Sequence, residues 1–252
     1  MLREKSLNRE NLDKYIAFRD TTIARDKVEL ESPDFLPATG KVMGASMLFS
    51  SILEYLVAQY SRGDDLAVIR DSLPELLEQR EKLLYYCDAL PEEKQENRLM
   101  YERLSDHRYI NYCRWLTFAA CLGINQAHID RALELIDNAG VDVLFDRIAI
   151  ALGDRERPVA EGLLYPKPYA QLYEALDALP AQQGKLITKF LDGYANTVRK
   201  WGIAIIREKD WKQHPGDWCF EAALVVKLFN IDDSAFRDHP LYPAALIHGD
   251  SV

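Results

Sequence analysis

The chain is poor in the residues that nucleotide and metal chemistry demand. Its 252 residues include four cysteines, five histidines and twelve glycines. Cys87, Cys113, Cys121 and Cys219 form no Cys-x-x-Cys pair and no cysteine–histidine spacing that suits zinc. No Gly-x-x-x-x-Gly-Lys or Gly-x-Gly-x-x-Gly loop is present to cradle a phosphate, and neither His-Glu-x-x-His nor Gly-x-Ser-x-Gly occurs. His107, His128, His214, His239 and His248 are scattered, and each is expected at the surface or in a turn. No metal, no cofactor and no catalytic residue is expected.

Positive charge is also short. Lys and Arg number 31 against 40 Asp and Glu, a formal net charge of −9. The deficit is even: residues 1–126 carry 17 basic against 21 acidic side chains, and residues 127–252 carry 14 against 19. Phosphate backbones are bound through Lys and Arg, so direct DNA or RNA binding is not expected. An evenly acidic body suits a basic protein partner, although many soluble proteins are mildly acidic. The N-terminus lacks the apolar region of a signal peptide, and no run is expected to reach bilayer-spanning length. The cysteines, set among Trp, Phe and Ala, read as reduced core thiols. Together these features predict a cytoplasmic protein with no membrane contact.

What is present is helical periodicity. Val42, Ala45, Phe49, Ile52, Leu56 and Tyr60 step by three and four, as do Leu66, Ile69, Leu73, Leu76 and Leu83, and later Ile187, Leu191, Tyr194, Val198 and Trp201. Each set makes one apolar stripe on one helix face. The only short run that suits a strand is Ile203–Ile206, and beside Trp201 and Trp211 it reads rather as a helix continuation or buried link. The class is all-α, an antiparallel helical bundle in two parts.

Punctuation sets the helix ends. A first helix spans roughly residues 8–28, and the stretch with Pro33 and Pro37 is a loop. Gly63 stops the second helix, and Asp64 or Asp65 caps the third. Pro74 kinks or breaks that helix because it removes a backbone donor. Pro91, with Glu92 and Glu93, opens a fourth. A break at Ser105-Asp106 leads into an aromatic helix that Gly123 ends, with Asn125 capping the next. The division falls at Gly123, giving an N-terminal helical domain over 1–123 and a C-terminal one over 124–252.

Glu221 is the strongest candidate for chemistry, because burial among Trp, Cys, Phe and Ala would raise its pKa. The competing reading is a glutamate that bonds a neighbouring Arg, Tyr or Trp and pins helices together. A catalytic carboxylate also needs a second group, and none is evident. Asp232, Asp233 and Ser234 read as a helix stop and as the N-cap of a short last helix, Ser234–Arg237, in preference to a cation site. Tyr165–Tyr169, with two prolines, reads as a rigid lead-in to a helix. Glu75, Glu78 and Glu81, and Glu92, Glu93 and Glu96, lie at helical spacing as solvated faces, with Glu78 and Lys82 an i,i+4 pair. They are also surfaces suited to meeting a basic partner.

The C-terminal stretch is the most particular. Gly216 is followed by Trp218, Phe220, Glu221, Ala222 and Ala223, then Ile231, Asp232, Asp233 and Ser234, then Tyr242 and Pro243. This order resembles the C-terminal domain of the PoNi family, bacterial immunity proteins that neutralise polymorphic nuclease toxins. The Tyr60-Ser61-Arg62-Gly63 turn resembles one in that family's N-terminal domain. Leu164–Tyr169 and the Phe190–Tyr194 segment also fall where the family has similar residues. Asp217 and Gly193 depart from it, since family members more often have an aromatic there, and Ala244 and Ala245 replace an aromatic and Asp. The resemblance implies an all-helical, two-part antitoxin that binds a cognate nuclease, typically a DNase of a type VI or related secretion system, and catalyses nothing. It implies that Tyr60, Gly63, Trp218, Phe220, Glu221, Asp232, Asp233, Tyr242 and Pro243 build the scaffold. Toxin contacts would then lie elsewhere, with the six glutamates as candidates. An enzyme centred on Glu221 and a general helical adaptor are the other two readings.

Overall fold

The structure, a computed structural model, describes residues 1–32, 36–200 and 215–249, with backbone alone at 197–200. Pro33, the side chain of Val198, Trp201, the Ile203–Ile206 run, Trp211 and His214 lie outside the described residues. The described residues are helical and contain no strand, which gives the all-α class. They divide into two compact units, one built on Met1–Arg103 and one that begins at Leu104 and resumes at Asp217. The turn at Gly123, where the sequence analysis divides the chain, lies within the second unit.

The first unit opens with α1 (Arg9–Glu31) and α2 (Ala38–Arg62). Asn8 caps α1 by accepting from the Glu10 amide at 2.7 Å. The apolar stripe of α2 is buried at every position from Val42 to Tyr60, and α2 packs on α1 and on α4. Leu12, Tyr15 and Ile16 of α1 close a core cluster with Ala58. The expectation of no membrane-length run needs correction. By length and composition α2 is apolar enough to cross a bilayer, but 56% of that window is buried inside the fold. It is the helix around which the unit packs, so its apolar surface already has protein neighbours.

Gly63 ends α2 at φ +87°, and its amide bonds the Tyr60 carbonyl at 3.0 Å. Asp65 then caps α3 (Leu66–Asp71) through the Ala67 amide. Pro74 divides the expected third helix in two. It sits in the first turn of α4 (Leu73–Asp88), where no intrahelical donor is lost. Past Pro91 the chain forms a 3₁₀ helix, Glu92–Arg98, in place of an α-helix, and only α5 (Leu99–Glu102) regains α geometry. The sequence Glu-Glu-Lys-Gln-Glu-Asn-Arg has no apolar residue to bury, so nothing draws it into a longer packed helix.

In the second unit, α6 (Asp106–Cys121) is buried at all eleven positions from Tyr109 to Ala119. It packs against α11 (Phe220–Phe229), itself buried from Phe220 to Val226. A helix buried on every side is a central one. The Phe118 and Phe220 rings meet at 5.0 Å, and the Thr117 hydroxyl donates to the Phe220 carbonyl at 3.0 Å. Around this pair lie α7 (Gln126–Ile136), α8 (Val143–Leu152), α9 (Pro166–Asp177), α10 (Pro180–Lys200) and α12 (Ala245–His248). Asn125 caps α7 as its sequence predicts. The expected short helix Ser234–Arg237 is absent. Asp232 takes both the amide and the hydroxyl of Ser234, which closes the backbone into turns.

His128 also corrects the sequence reading. It is buried on α7, and its Nε2 accepts from the Trp115 indole at 3.2 Å. That geometry requires a neutral ring, and burial lowers its pKa accordingly. Cys87, Cys113 and Cys219 are buried and Cys121 partly so, all as free thiols. Burial pushes Cys87 up to about 11 and Cys121 up to about 12, so neither is a nucleophile at neutral pH.

Candidate functional site

Glu221 stands in the first turn of α11 and is 1% exposed. Tyr169 of α9 donates to its Oε1 at 3.0 Å. Tyr194 of α10 donates to Oε1 and Oε2 at 3.2 and 3.1 Å, and the Cys219 thiol lies 3.8 Å from Oε2. Burial raises the Glu221 pKa, opposed by its own backbone amide, by the charge of Arg114 and by the two tyrosines. The tyrosine pKa values rise in turn, from burial and from Glu221. The carboxylate is thus sealed from solvent with both oxygens engaged. The arrangement ties three helices together and offers no free oxygen to a substrate.

The remaining signature residues at the C-terminal end, Asp232 excepted, are also internal. Trp218, Phe220, Asp233, Tyr242 and Pro243 are buried. Asp233 is a hub: Arg237 donates to Oδ1 at 2.7 and 3.0 Å, Tyr242 donates to Oδ2 at 3.1 Å, and His248 Nε2 lies 2.7 Å from Oδ2. Burial alone would raise the Asp233 pKa, but these bonds outweigh it and hold the pKa below its ordinary value. Asp232, exposed, serves the Ser234 turn.

In the first unit Tyr60 is buried, with the Arg3 guanidinium 4.8 Å above its ring. Arg3 Nη1 also donates to the Tyr60 carbonyl at 2.9 Å. The amides of Arg3 and Glu4 both bond the Ser61 carbonyl, so the N-terminal residues lie over the end of α2. The positive φ of Gly63 and its closeness to Met1 both require glycine there, since a Cβ would stand 1.8 Å from the Met1 carbonyl oxygen.

The acidic candidates are dispersed in role. Glu75 is half-buried and paired with Lys27, and Glu78 pairs with Lys82 at 2.9 Å. Glu81 is exposed on α4. Glu92, Glu93 and Glu96 are exposed on the 3₁₀ helix, with no ion-pair partner among the described residues. Of the six, these last three are the ones whose charge faces solvent uncompensated.

Sequence reasoning missed a second buried network, in the loops flanking α8. Asp142 caps α8 by accepting from the Phe145 amide at 2.7 Å, and it also accepts from the Leu164 amide and the Tyr109 hydroxyl. Asp146 is fully buried and accepts from the amides of Gly140 and Ala160 and from Arg157 Nε at 2.6 Å. Arg157 also donates to the Asp137 carbonyl at 2.8 Å. Its signal was the pair of carboxylates four apart, Asp142 and Asp146, in an apolar helix start with an Arg eleven residues later. Elsewhere in this unit an open groove of about 630 Å³ runs between the start of α10 and the 232–235 turn. Its charges are mixed, with Lys185 and Lys189 against Asp192 and Asp232. Among the described residues, no three His, Cys, Asp or Glu side chains are grouped to hold a metal ion.

Residues 140–246 match the family model described as PoNe immunity proteins (PoNi), C-terminal. The match spans the Asp146–Arg157 ion pair, Glu221 with Tyr169 and Tyr194, and Asp233 with Arg237 and Tyr242, and it ends at Leu246 in α12, before His248. No curated protein and no solved structure matches the chain.

Proposed function

From residues 140–246, which belong to the PoNi immunity family, we propose that this protein is the antitoxin for an antibacterial nuclease. It binds the toxin and blocks it, and it catalyses no reaction itself. The toxin is a DNase of a type VI or related secretion system, and binding takes place in the cytoplasm. The family match carries this reading, and two physical features support it. The best catalytic candidate, Glu221, is 1% exposed and fully hydrogen-bonded, the state of a structural pin. The chain is acidic overall, with a formal net charge of −9, whereas a DNA-cleaving protein needs a cationic groove. Opposite potentials speed encounter, and a few buried anchors supply durability.

In this reading Glu92, Glu93 and Glu96 steer the toxin towards the protein, while the signature residues maintain the scaffold. The test is co-expression with the nuclease encoded beside this chain's gene. Cells are expected to survive only when both are made, and the two proteins to elute together on gel filtration. Continued killing, with no complex recovered, would refute the proposal.

A further inference from the structure

The loops on either side of α8 are held by buried hydrogen bonds and a buried ion pair. Gly140–Asp142 leads into the helix, and Asp154–Leu164 follows it. Between them lies the Asp146–Arg157 ion pair, whose side chains are 0% and 2% exposed. Asp142 bonds the Leu164 amide, Asp146 bonds the Gly140 and Ala160 amides, and Val143 bonds the Gly162 carbonyl. Just before, Asp137 and Asn138 both adopt positive φ, at 53° and 57°. Arg157 holds the Asp137 carbonyl, and Asn138 accepts from the Leu104 amide. A non-glycine pair in that region persists only where its surroundings over-determine it, and such sites cluster at ligand clamps and switches.

This rigid frame displays apolar side chains to solvent. Val141 is 41% exposed, Val159 is 51% and Leu164 is 37%. Val141 and Val159 belong to adjoining segments, since a Cβ on Gly140 would lie 3.9 Å from the Pro158 ring. The exposed ionisable residues of these loops and of the preceding α7 C-cap are Glu156, Glu161 and Asp137 against Arg155, and none of the three carboxylates has an ion-pair partner among the described residues. These loops therefore present exposed apolar side chains together with an excess of exposed carboxylates, on backbone that is held by buried hydrogen bonds. That combination suits a protein-docking face: apolar anchors with charged side chains, and little entropy left to lose on binding.

We propose that these paired loops are the docking surface for a basic protein, which under the function proposed above is the cognate nuclease. The partner presents an apolar patch to Val141, Val159 and Leu164, with Lys or Arg side chains placed to meet Glu156 and Glu161. Charge complementarity selects this occupant over a second copy of the chain, because two copies would bring loops with the same excess of carboxylates together at one contact.

The experiment measures association and dissociation rates between the full chain and the nuclease encoded beside its gene. Val141→Arg/Val159→Arg, which changes only exposed side chains, is expected to weaken binding at least tenfold, chiefly through faster dissociation. Glu156→Lys/Glu161→Lys is expected to slow association and flatten its salt dependence. Leu179→Arg, a control at an exposed residue of the α9–α10 turn, is expected to bind as the wild type does. All variants should keep the wild-type helical circular dichroism and melting midpoint. If the wild type forms the complex and the double-Arg variant binds it equally well, the docking inference fails while the immunity reading stands. It also fails if the double-Arg variant dissociates a dimer of the isolated chain and leaves nuclease affinity unchanged. If the wild type neither binds nor protects, the immunity reading itself fails, and the docking inference with it.

Discussion

Tyr194 gives its hydroxyl to both carboxylate oxygens of Glu221, at 3.2 and 3.1 Å. With Tyr169 this joins α9, α10 and α11 at one buried point. A buried carboxylate is costly unless hydrogen-bonded, and two tyrosines are well suited to the task because their rings fill space while their hydroxyls donate. The Glu in the Trp-x-Phe-Glu-Ala-Ala run is therefore the buried acceptor through which three helices are joined.

Glu221 should make stability depend on pH in a direction set by its raised pKa. Burial holds the folded-state pKa above the ordinary 4.5, so as pH rises the unfolded chain releases this proton first. Stability from the site is fully present below about 4.5 and declines as pH climbs through the folded pKa. Glu221→Gln, neutral throughout, should gain on the wild type over that window. Urea denaturation from pH 4 to 8 measures the difference, and a gap that does not change with pH would contradict the assignment. Glu221→Ala should cost about 2–4 kcal/mol, because it leaves the tyrosine hydroxyls without their acceptor and opens a cavity.

The contrast between this site and the loops around α8 shows what a sequence discloses. Gly63, Asp65, Pro74 and Asn125 act on backbone within four residues of themselves, and their roles as stops, caps and a break were legible. Glu221 was legible as a residue needing a donor, but Tyr169 is 52 positions away and Tyr194 is 27, so the partners were not. Arg157 reads as one more charged residue in a loop, and only the fold shows Asp146 beneath it. At Ser234 two local options competed. A helix N-cap and an Asp232 turn use the same polar residues, and the turn prevails because Asp233 is drawn inward to Arg237, Tyr242 and His248.

Asp233 should show the opposite pH dependence to Glu221. Its folded pKa lies below the ordinary 3.8, because the bonds from Arg237, His248 and Tyr242 outweigh burial. The stability it supplies is present above that value and is lost as pH falls through the folded pKa. Asp233→Asn should cost about 1–3 kcal/mol at neutral pH, since three donors lose a charged acceptor. The gap to the wild type should narrow as both are titrated below pH 4 in denaturant melts. A gap that widens there would show that Asp233 is not ionised in the folded protein.

Gly63→Ala tests the N-terminal signature. The backbone there has φ +87°, and the new Cβ would stand 1.8 Å from the Met1 carbonyl oxygen. Either the turn or the N-terminal residues must move, which puts the bonds from Arg3 and Glu4 to Ser61 at risk. The expected loss is about 1 kcal/mol or more, read as a lower urea midpoint. Hydrogen exchange should rise at the Arg3 and Glu4 amides before the rest of the first unit. Unchanged protection there would mean that the N-terminal residues are not held by this turn.

The exposed carboxylates of the 3₁₀ helix should govern the rate of toxin capture more than its durability. Glu92, Glu93 and Glu96 are surface charges, and a surface charge contributes little to affinity once it is screened. Its field still biases the approach of a cationic partner within a Debye length, about 8 Å at physiological salt. Glu92→Lys/Glu93→Lys/Glu96→Lys reverses three charges and moves the formal net charge from −9 to −3. Association with the neighbouring nuclease is expected to slow about tenfold or more at low salt, and the two proteins' rates to converge as salt rises. Dissociation should change little if the anchors lie in the loops around α8. A large change in dissociation with unaltered association would place the 3₁₀ helix inside the contact and remove its steering role.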